Sequence, residues 1–155
     1  MKLGIDLDNT LICYDDSFRR VAIKQGHIDE QDQCFSKHEI KNLIIRRFGE
    51  SYWTNLQGLV YGTYIMEAKA YRGAVNALNN LLDMGFYVGI YSHKTKYPYL
   101  GENVDLHEAA NSWLYANFGT LMDYIELQFF EKKTEKIDAI NSSGVRIFID
   151  DLPDI

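Results

Sequence analysis

Lys2-Leu3-Gly4-Ile5-Asp6-Leu7-Asp8-Asn9-Thr10 opens the chain. Residues 2–6 read as a short buried strand, apolar at Leu3 and Ile5 and ending on the carboxylate of Asp6. Asp6 and Asp8 interrupt any N-terminal apolar run, so no secretory leader is expected. The far end of the chain repeats the pattern. Val145–Ile149 is apolar apart from Arg146 and runs into Asp150-Asp151. Two apolar strands that both end in acid pairs set the frame for everything between them.

From residue 71 onward helix and strand alternate. Val75, Leu78, Leu81 and Leu82 form a helical stripe that Gly85 ends, and Phe86–Tyr91 is a strand. Asp105 and Glu108 open a helix carrying Leu106, Ala110, Trp113 and Leu114, with Gly119 as its stop. Tyr124–Phe130 is a strand, 134–142 a short helix closed by Gly144, and 145–149 the last strand. Such alternation implies an α/β fold, a Rossmann-like parallel sheet with helices on both faces.

Residues 14–70 interrupt this pattern and read as a small helical cap insertion, leaving 1–13 and 71–155 as the core. Asp15 and Asp16 are placed to cap a helix running to Gln25, and residues 27–35 are polar loop. Ser36 and Glu39 have capping-box spacing before Ile40, Leu43, Ile44 and Phe48. Ser51 opens a third helix with Trp53, Leu56, Leu59 or Val60, and Tyr64 on one side. Gly58 and Gly62 mark a face that another helix can approach closely. Trp53, Gln57, Tyr61 and Tyr64 either line a cap pocket or pack the cap's core, with packing favoured.

Composition narrows the function. At 155 residues, with 46% hydrophobic and 25% charged residues, the chain is neither disordered nor low-complexity. A net charge of −6 gives no overall positive field, so duplex nucleic acid is not an expected partner. No apolar run is long enough for a membrane span. Cys13 and Cys34 are too few for a disulfide scaffold and read as reduced thiols of a cytoplasmic protein. His38 and His107 each lack the second histidine of a zinc HExxH pattern, and no phosphate-cradling GxxxxGK[ST] or GxGxxG loop is present.

Ligands of parallel sheets bind at the carboxyl ends of the strands. Those ends carry Asp6 and Asp8, then Ser92-His93-Lys94, then Lys132, Lys133 and Lys136, then Asp150-Asp151. Clustered carboxylates repel one another unless a cation sits among them. Hard oxygen ligands with room for water suit Mg²⁺.

These residues resemble the four motifs of the haloacid dehalogenase (HAD) superfamily. DxDx[TV] is met by Asp6–Thr10, the apolar strand ending in a hydroxyl by Tyr87–Ser92, the lysine by the 132–136 segment, and the paired acids by Asp150-Asp151. The resemblance spans residues 3–151 and implies a HAD-like core with a C1-type cap. The stretches 92–95 and 105–110 also resemble one group of HAD-like proteins, which brings no substrate with it.

The resemblance implies a phosphohydrolase acting on a small phosphorylated metabolite. Asp6 would be the nucleophile, forming an aspartyl phosphate, and Asp8 the general acid and base. A carboxylate at position 8 suits phosphate esters better than carbon–halogen cleavage, where no alkoxide needs a proton. Mg²⁺ would be held by Asp6, the backbone carbonyl of Asp8, and Asp151 or Asp150, with Asp151 favoured. Ser92 would donate to a phosphoryl oxygen. Lys133 is favoured over Lys136 and Lys132 as the motif lysine, because it lies before the short helix rather than inside it. Asn9, Thr10, Ser92, His93 and Lys133 are the candidate substrate contacts. Phosphotransfer to another acceptor, a catalytically silent scaffold and a phospho-aspartyl switch are the rivals. Receiver switches carry their acid pair after the first strand, the reverse of the order here.

Only Leu152-Pro153-Asp154-Ile155 follow Asp151. In a HAD-like strand order, strand 145–149 becomes an uncovered edge that invites pairing with another chain. A longer parent protein, or a homo-oligomer through strand 145–149, is therefore expected.

Overall fold

The structure is a computed structural model that describes residues 1–152. Strands β1 (Lys2–Ile5), β4 (Tyr87–His93), β5 (Ile125–Phe130) and β6 (Val145–Ile149) form one parallel sheet in the order β5-β4-β1-β6. The two strands richest in buried residues, β1 and β4, take the centre, where both faces are covered. Helices α4 (Ala74–Asp83), α5 (Leu106–Phe118) and α6 (Lys133–Ser142) connect them. The strand at 145–149 is an edge as expected, pairing among the described residues only with β1. Ile147 and Ile149 are nearly half exposed there. Pro153, Asp154 and Ile155, which follow that strand in the sequence, lie outside the described residues.

The insertion leaves and re-enters the core through a two-stranded antiparallel ribbon absent from the sequence reading. Its strands are β2 (Ile12–Cys13) and β3 (Lys69–Ala70), too short for any periodic signal. Between them lie α1 (Ser17–Lys24), α2 (Lys37–Phe48) and α3 (Glu50–Gly58). The capping box on α2 forms: Ser36 Oγ accepts from Glu39 N, and the Glu39 carboxylate accepts from Ser36 N at 2.9 Å. Asp16 occupies the N-cap of α1, but its side chain makes no capping bond. Buried Phe18, Ile40, Ile44, Trp53 and Leu56 join the same core cluster as Leu3, Ile90 and Trp113. The insertion is thereby packed onto the sheet domain, and Trp113 Nε1 donates to Ala68 O at 2.9 Å across the join.

The third helix does not run unbroken to Tyr64. Past Gly58 it widens into a π-helical turn at Leu59–Thr63, closed by Tyr64 N donating to Leu59 O at 2.8 Å. Such turns re-aim side chains and recur at functional sites. The glycine face meets the loop 98–104 and the start of α5, so a helix does approach it at Gly62. A Cβ on Gly58 would lie 2.9 Å from Pro98 Cβ, and one on Gly62 3.0 Å from Leu106 Cδ2. Gly62→Val is expected to overpack this contact and to cost about 1–3 kcal/mol. The readout is a lower urea midpoint with an unchanged m-value, and an unmoved midpoint would show that 98–106 yields freely.

Candidate active site

The turn after β1 builds the floor of the site. Leu11 N and Ile12 N both donate to Leu7 O, and Asn9 N donates to Ile12 O at 2.9 Å. This tight turn places Asn9 at φ +60°, the only non-glycine positive φ among the described residues and one that asparagine tolerates well. Asp6 and Asp8, either side of Leu7, are delivered to separate environments.

Asp6 is buried, and its Oδ1 lies 2.6 Å from Lys136 Nζ. The same ammonium lies 3.0 Å from Asp150 Oδ2. Oxygen atoms of Asp6, Asp150 and Asp151 all fall within 4.8 Å of one another. Burial pushes the Asp6 carboxyl up to about 6 against the pull of Lys136, and Asp150 and Asp8 add to the rise. Asp151 is also raised, by burial first and by its neighbour Asp150 second. One lysine for three converging carboxylates leaves an excess of negative charge. Hard carboxylate oxygens gathered this closely have the donor chemistry of a site for a small divalent cation.

Asp8 is handled differently. Tyr14 Oη donates to its Oδ1 at 2.8 Å, and Lys94 Nζ lies 2.8 Å from its Oδ2. Lys94 is itself buried and its backbone is pinned at both ends: its N–H donates to Phe130 O at 2.8 Å, and its carbonyl accepts from the His107 ring at 2.7 Å. His107 in turn stacks on Phe129, with ring centroids 4.7 Å apart. Burial, reinforced by the Asp8 charge, holds the Tyr14 phenol well above its ordinary value, so it stays a donor.

Two cavities meet at Asp8. One holds Asp6, Asp8, Asn9, Lys37, Tyr61, His93, Lys133, Lys136, Asp150, Asp151 and Leu152 in a space of about 200 Å³. The other, of about 280 Å³, lies between the insertion and the loop after β4 and shares Asp8, Tyr61 and His93 with the first. Lys37, at the start of α2, reaches over the acidic cavity and donates to Tyr61 Oη at 2.9 Å. Burial lowers its pKa.

No family model and no curated protein matches the chain. Solved structures do. The chain is similar to a HAD-superfamily hydrolase from Ehrlichia chaffeensis, with a TM-score of 0.51 and 17% identity over 98% of this chain and 78% of that one. It is similar to a hydrolase from Streptococcus pneumoniae TIGR4, at 0.56 and 16% over 98% and 83%. A dehalogenase follows at 0.50 and 15% over 96% and 75%.

The fold is that of the HAD superfamily.

Within this HAD fold the sequence-derived site is gathered in part. Asp6, Asp8, Asn9, His93, Lys133, Asp150 and Asp151 share one cavity. The lysine that reaches the acids, however, is Lys136 rather than Lys133. Lys133 begins α6 and is exposed, whereas Lys136, one turn in, shares the sheet-facing side of the helix with Ile140. Its apolar stem lies along the sheet and its ammonium sits 5.2 Å from the Phe148 ring centroid. Ser92 is buried within β4 and lines neither cavity, and the residues beyond it, His93 and Lys94, do. Thr10 lines a separate groove with Leu11, Tyr71, Ala74 and Leu78, on the far side of the turn. Of the four residues proposed to line or pack the cap, Gln57 and Tyr61 face the cavities and Trp53 is core.

Lys94, Tyr14 and Lys37 carry no motif. Lys94 had one faint signal, since it follows directly on the carboxyl end of β4, where ligands of parallel sheets bind. Nothing local distinguishes Lys37 or Tyr14.

Proposed function

We propose that this protein is a Mg²⁺-dependent phosphohydrolase that cleaves a small phosphate monoester through an aspartyl phosphate on Asp6. The observation that carries this reading is the division between two carboxylates. Asp6 is grouped with Asp150, Asp151 and Lys136, while Asp8 is held away from them by Lys94 and Tyr14. Two-step phosphoryl transfer needs this pairing of unlike acids.

Mg²⁺ would be held by Asp6, Asp150 and Asp151, with the Asp8 backbone carbonyl as a further ligand, and would neutralise charge on the transferring phosphoryl group. Asp6 attacks phosphorus, and the ester oxygen leaves with its bonding electrons. Asp8 passes that oxygen a proton drawn from the Lys94 ammonium at 2.8 Å, then takes one from the water that hydrolyses the aspartyl phosphate and returns it to Lys94. Lys136 holds Asp6 in place and offsets the charge gathering beside it. Lys37 and Lys133, without a carboxylate partner among the described residues, add positive charge from the cavity's rim.

Phosphate-ester cleavage rather than dehalogenation is supported by Asp8, because an alkoxide leaving group needs the proton it gives in the first step and a halide does not. The test is turnover of p-nitrophenyl phosphate. Activity is expected with Mg²⁺, lost in excess chelator and restored by added Mg²⁺. Full activity in chelator would remove the metal from the reading, and turnover of a haloacid but not of phosphate esters would overturn it.

A further inference from the structure

The 280 Å³ cavity beside Asp8 states which half of a substrate it can hold. Its wall is formed by Thr54, Gln57, Gly58 and Tyr61 from the insertion and by Thr95, Pro98, Tyr99 and Leu106 from the opposite side. These groups are uncharged. The ammonium of Lys94 also borders the cavity, but it is spent on Asp8 at 2.8 Å. His93 lies at the mouth, exposed, with its ring 3.3 Å from Glu131 O. Of the lysines bordering the two cavities, Lys37 and Lys133 have no carboxylate partner among the described residues, and both border the acidic cavity.

The two compartments thus differ in kind. The acidic one is built for a phosphoryl group and its cation. The second offers aromatic and aliphatic surface with a few hydrogen-bonding groups, and Asp8 stands at the boundary where a leaving oxygen would sit. A charge buried without a partner is strongly disfavoured, so an anionic leaving group would lose affinity here. A cavity of about 150 Å³ takes a benzene ring. This one has room for a ring with a polar substituent.

Resting on the phosphohydrolase reading, we propose that the substrate is a phosphate monoester of an uncharged, ring-sized alcohol, with its ring between Tyr61, Tyr99 and Leu106 and its polar groups toward Thr54 and Gln57. Carboxylated and bisphosphorylated esters are selected against, because no free cation waits for their second charge.

Benzyl phosphate and 2-phosphoglycolate separate the possibilities, since their leaving alcohols are of similar basicity. At pH 8, above the ordinary imidazole range, kcat/KM with Mg²⁺ is expected to favour benzyl phosphate by about 100-fold. Gln57→Lys should cut that ratio at least tenfold by supplying the missing cation. Thr54→Lys, on the same wall, repeats the test if the first variant misfolds. Calorimetric binding of the non-hydrolysable 2-phenylethylphosphonate and 3-phosphonopropionate should follow the same order. Equal or better turnover of phosphoglycolate by the unmodified protein overturns the present inference and leaves the phosphohydrolase reading standing. Absence of Mg²⁺-dependent turnover of either ester, with the phosphonates still bound in the expected order, overturns the hydrolase reading and supports the assignment of the cavity. Phosphonates bound in the reverse order overturn the assignment whatever the turnover.

Discussion

Asp6→Asn should abolish turnover of every phosphate ester together with the hydroxylamine-sensitive phosphate carried by the protein. An amide cannot attack phosphorus, and the remaining site would offer only positioning. A loss of at least about 10⁴-fold in kcat is expected, the scale on which nucleophile removal acts. The variant should fold, because Lys136 keeps its contact with Asp150. The pH dependence of stability gives a second readout in chelator. The folded-state pKa of Asp6, about 6, lies above the ordinary carboxylate value of 3.8. The folded state therefore holds the proton longer than the unfolded chain, and the carboxylate costs stability progressively as pH rises from about 4 through 6. Asp6→Asn escapes that cost, so its melting temperature relative to the parent should climb across this window and level off above it. Asp8→Asn should behave differently, slowing turnover yet leaving a trapped phosphoenzyme with a good leaving group. Covalent phosphate on the Asp6→Asn protein would move the nucleophile elsewhere.

Lys136→Met should cost both activity and stability, and Lys133→Ala neither to a comparable degree. Lys136 is buried between two carboxylates at 2.6 and 3.0 Å. Removing it leaves Asp6 and Asp150 facing each other without a counter-charge, a loss of about 3–5 kcal/mol for a buried pair. In kcat/KM the loss should be about 10²–10³, as for a missing electrostatic donor. Added Mg²⁺ should raise the melting temperature of Lys136→Met more than that of the parent, because the ion replaces the missing charge. Lys133 is exposed at the rim and should cost less than about tenfold. The opposite ranking of the two lysines would return the role to Lys133.

Much of this architecture was legible in the residues. Strand ends announce themselves because an apolar run must stop where a carboxylate needs water or a cation, as at Asp6 and Asp150. Helix ends were legible where a local device sets them, as in the Ser36–Glu39 capping box and the glycines at 85, 119 and 144, all of which adopt positive φ. The alternation after residue 71 then leaves a parallel sheet as the economical solution, with its acids on one edge.

The tertiary structure decided the rest. Which lysine meets Asp6 depends on how α6 is rotated over the sheet, and that rotation buries Lys136 beside Phe148 and leaves Lys133 exposed. The partner of Asp8 depends on a loop pinned by Phe130 and His107, both distant in sequence from Asp8. Ser92 and Thr10 fit a pattern of residue types, yet the pleat and the turn carry them away from the cavities. The β2–β3 ribbon joins pairs of residues more than fifty positions apart, and the π turn that presents Tyr61 depends on what packs against Gly58 and Gly62. Local sequence fixes backbone states within a few residues. Contacts between distant segments follow from the packing of the whole core, so the sequence by itself determined which chemistry reaches the sheet edge, and the fold decided which groups touch.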